Sequence, residues 1–274
     1  MLRAISALVG AAFVLALGFA LFGSVSGLIT DPPAKTAAEE FYKHPKELEL
    51  ASNGMMGRFD PVQLQRGFKV YSEVCSNCHS LGHVAFRDLT KIGYTPAQVK
   101  KIASDWDAKS KQPIVDPKTG ERTDRGNTPS DHFPTVYYPG QGNPPDLSLI
   151  TKARHEGTAY VYSLLTGYTD QPAEVLKKFP EATVPDGLYY NPYFPALNIA
   201  MPPPLASDGQ VTYDDGTKST VDQNAKDVAA FLTWAAEPEL EQRHGLGLAV
   251  LGFLVILTLL AFGAYRNIWR DQKH

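Results

Sequence analysis

The sequence predicts a mostly α-helical protein with enlarged Pro- and Gly-rich loops and a C-terminal transmembrane helix. Three observations support this fold class. Apolar residues recur at helical spacing in several short stretches of the chain. The 274 residues include 22 Gly and 21 Pro, which interrupt regular structure. Near the C-terminus, a run of 21 residues carries no charge.

An uncharged stretch near the N-terminus is also long enough to cross a bilayer. Residues 4–29 follow Arg3 and contain no charged side chain. Their position fits a secretory signal, with Ser24 and Ser26 as small residues at a cleavage site, but their length also suits a retained helix. We therefore expect residues 1–30 to be a signal peptide or an N-terminal membrane helix, and the following residues to be exported.

The C-terminal uncharged stretch, residues 245–265, has the length of one transmembrane helix. Arg266, Arg270 and Lys273 follow it, against a single Asp271. Because basic residues stay on the cytoplasmic side, we expect the C-terminus to be cytoplasmic.

This orientation divides the chain into an exported domain, an anchor and a tail. We expect residues 31–243 to lie in the periplasm, residues 244–265 to form a single-pass anchor in a bacterial inner membrane, and residues 266–274 to be cytoplasmic. The exported residues include 22 basic and 28 acidic side chains, a formal charge of −6 that suits a basic partner. The whole chain has a net charge of −3, which argues against a nucleic-acid partner.

Helical periodicity places four helices in the exported domain. The first begins at Pro61 with Asp60 as N-cap. Its apolar face is formed by Leu64, Phe68, Tyr71 and Cys75. The other three are a helix that starts at Thr95 and Pro96, a helix over residues 158–165, and a helix over residues 222–236.

The stretches between these helices are predicted to be irregular. Residues 31–58 are polar and indicate an extended lead-in. Residues 110–145 contain 11 Pro or Gly, and residues 167–209 are similarly interrupted. Residues 211–219 surround an Asp-Gly pair, which predicts a β-hairpin turn.

Cys75, Cys78 and His79 form a C-x-x-C-H sequence, which is typical of c-type haem attachment. Two thiols at this spacing can reach the two vinyl groups of one porphyrin, while the adjacent imidazole ligates the iron. Export favours this interpretation, because such haems are attached outside the cytoplasm. A zinc site, a thioredoxin-like dithiol and a short disulfide remain alternatives.

A haem iron held by His79 needs a sixth ligand or leaves an open position. Among the methionines, Met201 precedes three prolines that could stiffen the backbone around a thioether ligand. Of the other methionines, Met1 lies in the export segment, and Met55 and Met56 precede the motif. The rival ligands are His83, His132 and His155, of which His83 follows His79 too closely to reach the opposite face easily.

The chain resembles the cytochrome c1 family over roughly residues 44–270. Besides C-x-x-C-H, the resemblance rests on ordered motifs: QRGF at 65–68, PPDLS at 144–148, ARH at 153–155, SLLTGY at 163–168, YNPYF at 190–194, DDGT at 214–217 and WAAEP at 234–238. The segment before PPDLS is shorter than is common in the family, and the chain has no second Cys pair.

The resemblance implies a class I cytochrome c fold with one covalent haem c on Cys75 and Cys78. It implies that His79 and Met201 ligate the iron and that Arg154 and Tyr160 lie near the haem and its propionates. It further implies an electron-transfer subunit of the ubiquinol–cytochrome c oxidoreductase (complex III), beside a cytochrome b subunit. Electrons would pass from the Rieske iron–sulfur protein through the haem to cytochrome c. A tethered c-type shuttle for another enzyme, or an exported dithiol or metal-binding module, are the alternatives.

Overall fold

The computed structural model describes residues 2–32, 34–140 and 142–271, so Met1 and Lys273 lie outside the described residues. The regular structure is mostly helical, as predicted. The helices are α1 (Leu2–Thr30), α2 (Ala37–Phe41), α3 (Pro61–Glu73), α4 (Pro96–Asp105), α5 (Gly157–Leu165), α6 (Ala173–Lys178), α7 (Val221–Ala236) and α8 (Leu240–Trp269). The antiparallel strand pairs are β1 (Gln112–Val115) with β2 (Arg122–Arg125), and β3 (Tyr189–Tyr190) with β4 (Asn198–Ile199).

The chain divides into two compact units. The smaller unit contains α1, α2 and α6. Within it, the rings of Phe41 and Phe179 meet edge to face with centroids 6.2 Å apart, and Lys178 pairs with Glu40. The larger unit contains all the other elements and the hydrophobic core.

Helix α3 begins where the sequence predicts. The Asp60 carboxylate accepts a 3.0 Å hydrogen bond from the Val62 amide, which satisfies one of the unpaired amides at the helix start. Cys75 lies just beyond the helix end, in a 3₁₀ turn. The other members of the predicted apolar face are buried in the core: Leu64, Phe68 and Tyr71.

Helices α3 and α7 cross at very short range. A Cβ atom at Gly67 would lie 2.1 Å from the Asp227 carbonyl oxygen and 2.6 Å from the Phe231 Cβ. Next to this point, Arg66 of α3 binds the fully buried Asp227 of α7, with 2.8 Å between Nε and Oδ2. Arg66 also reaches Asp215 at 2.8 Å. The crossing therefore combines a glycine contact with a buried ion pair.

An aromatic cluster packs against this crossing. The ring centroids of Phe68 and Phe231 are 5.6 Å apart. Tyr71 stacks on Trp106 with centroids 6.2 Å apart, and Trp106 meets Phe133 edge to face at 4.8 Å. Large aromatic side chains from both helices and from the loops thus share one core.

The other three predicted helices are confirmed as α4, α5 and α7. Each predicted helix end agrees with the observed end to within one residue. Thr95 caps α4 by accepting a 3.3 Å hydrogen bond from the Gln98 amide. Thr220 caps α7 by accepting a 3.0 Å bond from the Gln223 amide. These side-chain caps explain why the helices start where they do.

Helices α1 and α8 are each long and apolar enough to cross a membrane, and their apolar stretches are fully exposed. Helix α8 starts five residues before the predicted run of residues 245–265. The short connection from α7 to α8 carries ion pairs. Glu237 binds Lys152 and, at 2.8 Å, Arg243, while Lys91 binds Glu239 at 2.6 Å.

The prediction that residues 110–145 lack regular structure is wrong, because they contain the β1–β2 hairpin. Its turn is closed by a 2.8 Å hydrogen bond from the Gly120 amide to the Asp116 carbonyl. Pro117 and Gly120 lie in the turn between the two strands. They therefore end the strands, and they do not stop strands from forming on either side.

The hairpin predicted over residues 211–219 is also wrong, since these residues form turns without a strand. Asp215 instead accepts a 3.0 Å hydrogen bond from the Thr217 amide and binds Arg66. The turn chemistry was identified correctly, but the turn residues Asp214 and Asp215 bind Lys69 and Arg66 of α3 instead of joining two strands.

Two other loop predictions need smaller corrections. Residues 31–58 include α2, which is stabilised because Thr36 and Glu39 each accept a hydrogen bond from the other's amide. Residues 167–209 include α6 and the short β3–β4 pair.

We expect Gly67→Ala to lower the unfolding midpoint of the detergent-solubilised chain. Alanine normally stabilises a helix over glycine by about 1 kcal/mol, but here its methyl group would meet the α7 backbone, and such overpacking costs about 1–3 kcal/mol. Gly252→Ala in α8, where nothing lies within 4 Å, is the control. Equal midpoints for the two variants would contradict the close crossing.

Asp227→Ala should destabilise the protein by about 3–5 kcal/mol, because it leaves the Arg66 charge without its buried partner. Asp214→Ala is the matched control. It breaks an ion pair with Lys69 at 2.9 Å, but the Asp214 side chain is 88% exposed, so little change is expected. Thermal unfolding followed by circular dichroism measures both, and similar effects of the two changes would contradict this assignment.

Candidate functional site

The C-x-x-C-H sequence lies immediately after α3. The amides of Cys78 and His79 both donate hydrogen bonds to the Cys75 carbonyl, at 3.1 and 2.9 Å. These two hydrogen bonds close the 3₁₀ turn. The buried Ser76 hydroxyl donates to the Ser72 carbonyl at 2.7 Å. The motif is therefore fixed to the end of a core helix.

The two thiols are half-buried and are not joined by a disulfide. Burial raises the pKa of the Cys75 thiol to about 12, and the neighbouring Cys78 adds to the rise. Reactive dithiols need a lowered pKa, because the thiolate is the nucleophile. This environment therefore disfavours the dithiol oxidoreductase alternative.

The His79 imidazole is oriented by a backbone carbonyl. Its Nδ1 lies 2.8 Å from the Pro145 oxygen. Burial lowers the pKa of His79, although the Pro145 bond and the charge of Asp146 oppose this effect. In the neutral imidazole, a carbonyl partner requires the proton on Nδ1 and leaves the Nε2 lone pair available to a metal.

The PPDLS segment holds the chain that follows His79. The Leu147 amide donates to the Ser80 carbonyl at 2.9 Å. The Gly82 amide donates to the Asp146 carboxylate at 2.7 Å. These bonds make residues 144–148 the structural support of the motif, and Pro145 is the member that contacts the imidazole.

Met201 lies just after β4 and is half-buried. The Tyr168 hydroxyl donates a 3.0 Å hydrogen bond to its carbonyl. On the preceding residue, the Ala200 methyl would lie 3.8 Å from a Cβ placed at Gly142. Because Gly142 is three residues before Pro145, one short segment adjoins both the His79 loop and the Met201 loop.

Arg154 and Tyr160 are brought together. Tyr160 is buried and Arg154 is exposed. Burial raises the pKa of Tyr160, and the charge of Arg154 together with its hydrogen bond to the hydroxyl opposes the rise. Burial raises the pKa of Tyr168, and the nearby Tyr160 adds to the rise. Tyr168 therefore lies near Tyr160 and also contacts the backbone of Met201.

Within the part of the chain that the structure describes, the side chains of the other methionines and histidines considered are more exposed to solvent than those of His79 and Met201. The His155 side chain is 96% exposed, and Met55 and Met56 are 71% and 68% exposed. His83 and His132 are exposed as well. Among the described residues, no three His, Cys, Asp or Glu side chains gather as a zinc site would require.

A cavity of about 590 Å³ lies beside the Met201 segment, lined in part by Tyr168, Tyr189, Tyr190 and Pro203. None of its lining residues belongs to the C-x-x-C-H sequence. The cavity therefore shares no lining residue with Cys75, Cys78 or His79.

Three contributing residues had no assigned role in the sequence interpretation. Pro145 and Tyr168 occur in the quoted motifs, but only the structure shows their contacts. Lys109 carried no signal at all. Its ammonium donates to the Ser72 carbonyl and, at 2.8 Å, to the Ser76 hydroxyl, and lies 5.0 Å from the Trp106 ring centroid. A positive charge is favourable at the C-terminal end of α3.

Comparison with known proteins identifies the family. The model of the cytochrome c1 family matches residues 50–272. Cytochrome c1 of Rhodospirillum rubrum is 44% identical over 238 residues, which cover 81% of this chain and 86% of that protein. A mitochondrial cytochrome c1-2 heme protein of Solanum tuberosum is 42% identical over 229 residues, covering 80% and 83%. Cytochrome b/c1 of Bradyrhizobium diazoefficiens is 42% identical over 242 residues, covering 80% and 34%. The chain therefore belongs to the cytochrome c1 family, the haem-bearing subunits of the cytochrome bc1 complex.

Proposed function

We propose that this chain is the electron-transfer subunit of a ubiquinol–cytochrome c oxidoreductase and carries one covalent haem c. The observation that carries the proposal is the geometry at His79, which directs a neutral Nε2 away from the Pro145 carbonyl. When bound, the haem iron would accept and release one electron. The chain would hold, orient and shield it, without substrate chemistry of its own.

Cys75 and Cys78 would hold the porphyrin through thioether bonds. Their half-buried thiols are unpaired and lie on one rigid turn, so they suit a group fixed along one edge. Lys109 would keep that turn in place through Ser72 and Ser76.

His79 and Met201 would ligate the iron. His79 offers a fixed, neutral imidazole, and Met201 offers a half-buried thioether on a backbone held by Tyr168. A His and Met pair raises the reduction potential, as suits an electron carrier. Arg154, with Tyr160 beside it, would bind a propionate, because guanidinium and carboxylate form strong charge-assisted hydrogen bonds.

The larger unit would adopt a class I cytochrome c fold with enlarged loops. The close packing of α3 against α7, with the motif directly after α3, supports this assignment. We assign residues 31–243 to the periplasm and residues 244–265 to the inner-membrane anchor, with residues 266–274 as a cytoplasmic tail. Residues 1–30 would be a signal peptide or a second membrane helix, and the apolar helix α1 is compatible with both.

The proposed partners are a cytochrome b subunit, the Rieske iron–sulfur protein as electron donor and cytochrome c as acceptor. The similarity to a protein named cytochrome b/c1 supports the cytochrome b partner. The formal charge of −6 on residues 31–243 supports a basic acceptor, because opposite charges accelerate encounter.

Changing Cys75 and Cys78 to Ala should abolish covalent haem. Wild-type protein should keep its haem through denaturation and acid–acetone extraction, since thioether bonds survive both. Haem-stained denaturing gels give the measurement, and Asn77→Ala, an exposed position within the motif, is the control. Release of all haem from the wild-type chain would falsify the proposal.

Met201→Leu should leave haem attached but lower its reduction potential, because leucine cannot ligate iron. The weak far-red absorption of thioether-ligated ferric haem should disappear at the same time. Met56→Leu, at an exposed position, should change neither property. If redox titration gives the same potential for both variants and wild type, another side chain is the ligand.

A further inference from the structure

A compact loop over residues 51–58, at the end of the lead-in, is closed by its own hydrogen bonds. The Arg58 amide donates to the Ala51 carbonyl at 2.8 Å, and the Gly57 amide donates to the Gly54 carbonyl at 3.2 Å. A Cβ at Gly57 would lie 2.2 Å from the Ser52 oxygen, so the loop closes tightly. Backbone hydrogen bonds therefore fix the shape of the loop, and the side chains at its tip are not needed for it.

The tip of this loop presents two consecutive methionines to the outside. Met55 is 71% exposed and Met56 is 68% exposed. Methionine is usually buried in folded proteins, and the rigid loop holds both side chains away from the core. Two adjacent exposed apolar side chains form a small apolar patch at the tip of the loop.

The loop is tethered to the start of the anchor helix. Immediately after it, the Phe59 amide donates a 2.8 Å hydrogen bond to the Glu241 carboxylate, in the first turn of α8. The uncharged run of α8 begins at Gly245, only about 6 Å further along the helix axis at the usual rise per residue. The end of the loop at Phe59 is therefore held about one helical turn from the point at which the uncharged run of α8 begins.

A charge beside the methionines suits the same location. Arg58 is exposed two residues after Met56, while Arg243, in the first turns of α8, is paired with Glu237. Basic side chains next to apolar ones are typical of the membrane interface, where they meet lipid phosphates while the apolar groups enter the acyl boundary.

We propose that Met55 and Met56 insert into the interfacial region of the phospholipid bilayer as a second, non-spanning membrane contact of the larger unit. This inference rests on the proposed function in one respect, namely that α8 crosses the membrane. Continuity with that anchor, through Phe59 and Glu241, selects lipid as the occupant. The contact would fix the tilt of the exported domain.

The test uses the full-length haem-loaded chain in vesicles of phosphatidylethanolamine and phosphatidylglycerol. Single cysteines are introduced by Met56→Cys, Val115→Cys and Val255→Cys and are labelled with a water-soluble maleimide, with wild type as background. Val115 is 59% exposed in β1, and Val255 is central in α8. We expect position 56 to react about tenfold more slowly than position 115, because an interfacial side chain lies below the headgroups.

The controls separate the possible failures. If position 56 reacts as fast as position 115 while position 255 is protected, the anchor stands and the loop inference is overturned. If position 255 also reacts fast, the anchor itself is refuted, and the loop inference with it. A photo-crosslinking amino acid at position 56 in the assembled complex should give lipid adducts. Adducts with another polypeptide alone would assign the patch to a protein neighbour and overturn the lipid contact.

Discussion

The rest of the larger unit depends on how closely α3 approaches α7. Gly67 lets the two backbones meet where any side chain would separate them, and the Arg66–Asp227 pair fixes the same point electrostatically. Removing one partner of such a buried pair is costly, so the geometry tolerates little variation. The aromatic core packs around this contact, and the end of α3 is placed by it.

Through α3, the helix crossing also determines the position of the C-x-x-C-H sequence. The 3₁₀ turn at Cys75 extends from the fixed helix end, and Tyr71, inside the core, donates a 3.1 Å hydrogen bond to the His79 carbonyl. The imidazole then receives its orientation from Pro145, on a loop far away in the sequence. A rigid helix supplies position, while loops supply the groups that select a tautomer and support a candidate ligand.

Local signals allowed α3, α4, α5, α7 and α8 to be predicted, whereas the short helices α2 and α6 were missed. The caps Asp60 and Thr95 each act within a few residues, so their effect is visible in the sequence. The β1–β2 hairpin within residues 110–145 was missed because the Pro and Gly residues of its turn are also typical of segments without regular structure. The contacts of Lys109 and Tyr168 were missed because they join residues more than 30 positions apart, which no local pattern encodes.

The connection between α7 and α8 has a mechanical consequence. Glu237 and Glu239 bind side chains on both sides of it, so α8 follows α7 without a flexible spacer. Such a joint transmits orientation but permits little swinging. Under the proposed function, the haem-bearing unit would therefore stay in place, and its electron donor and acceptor would have to move to it.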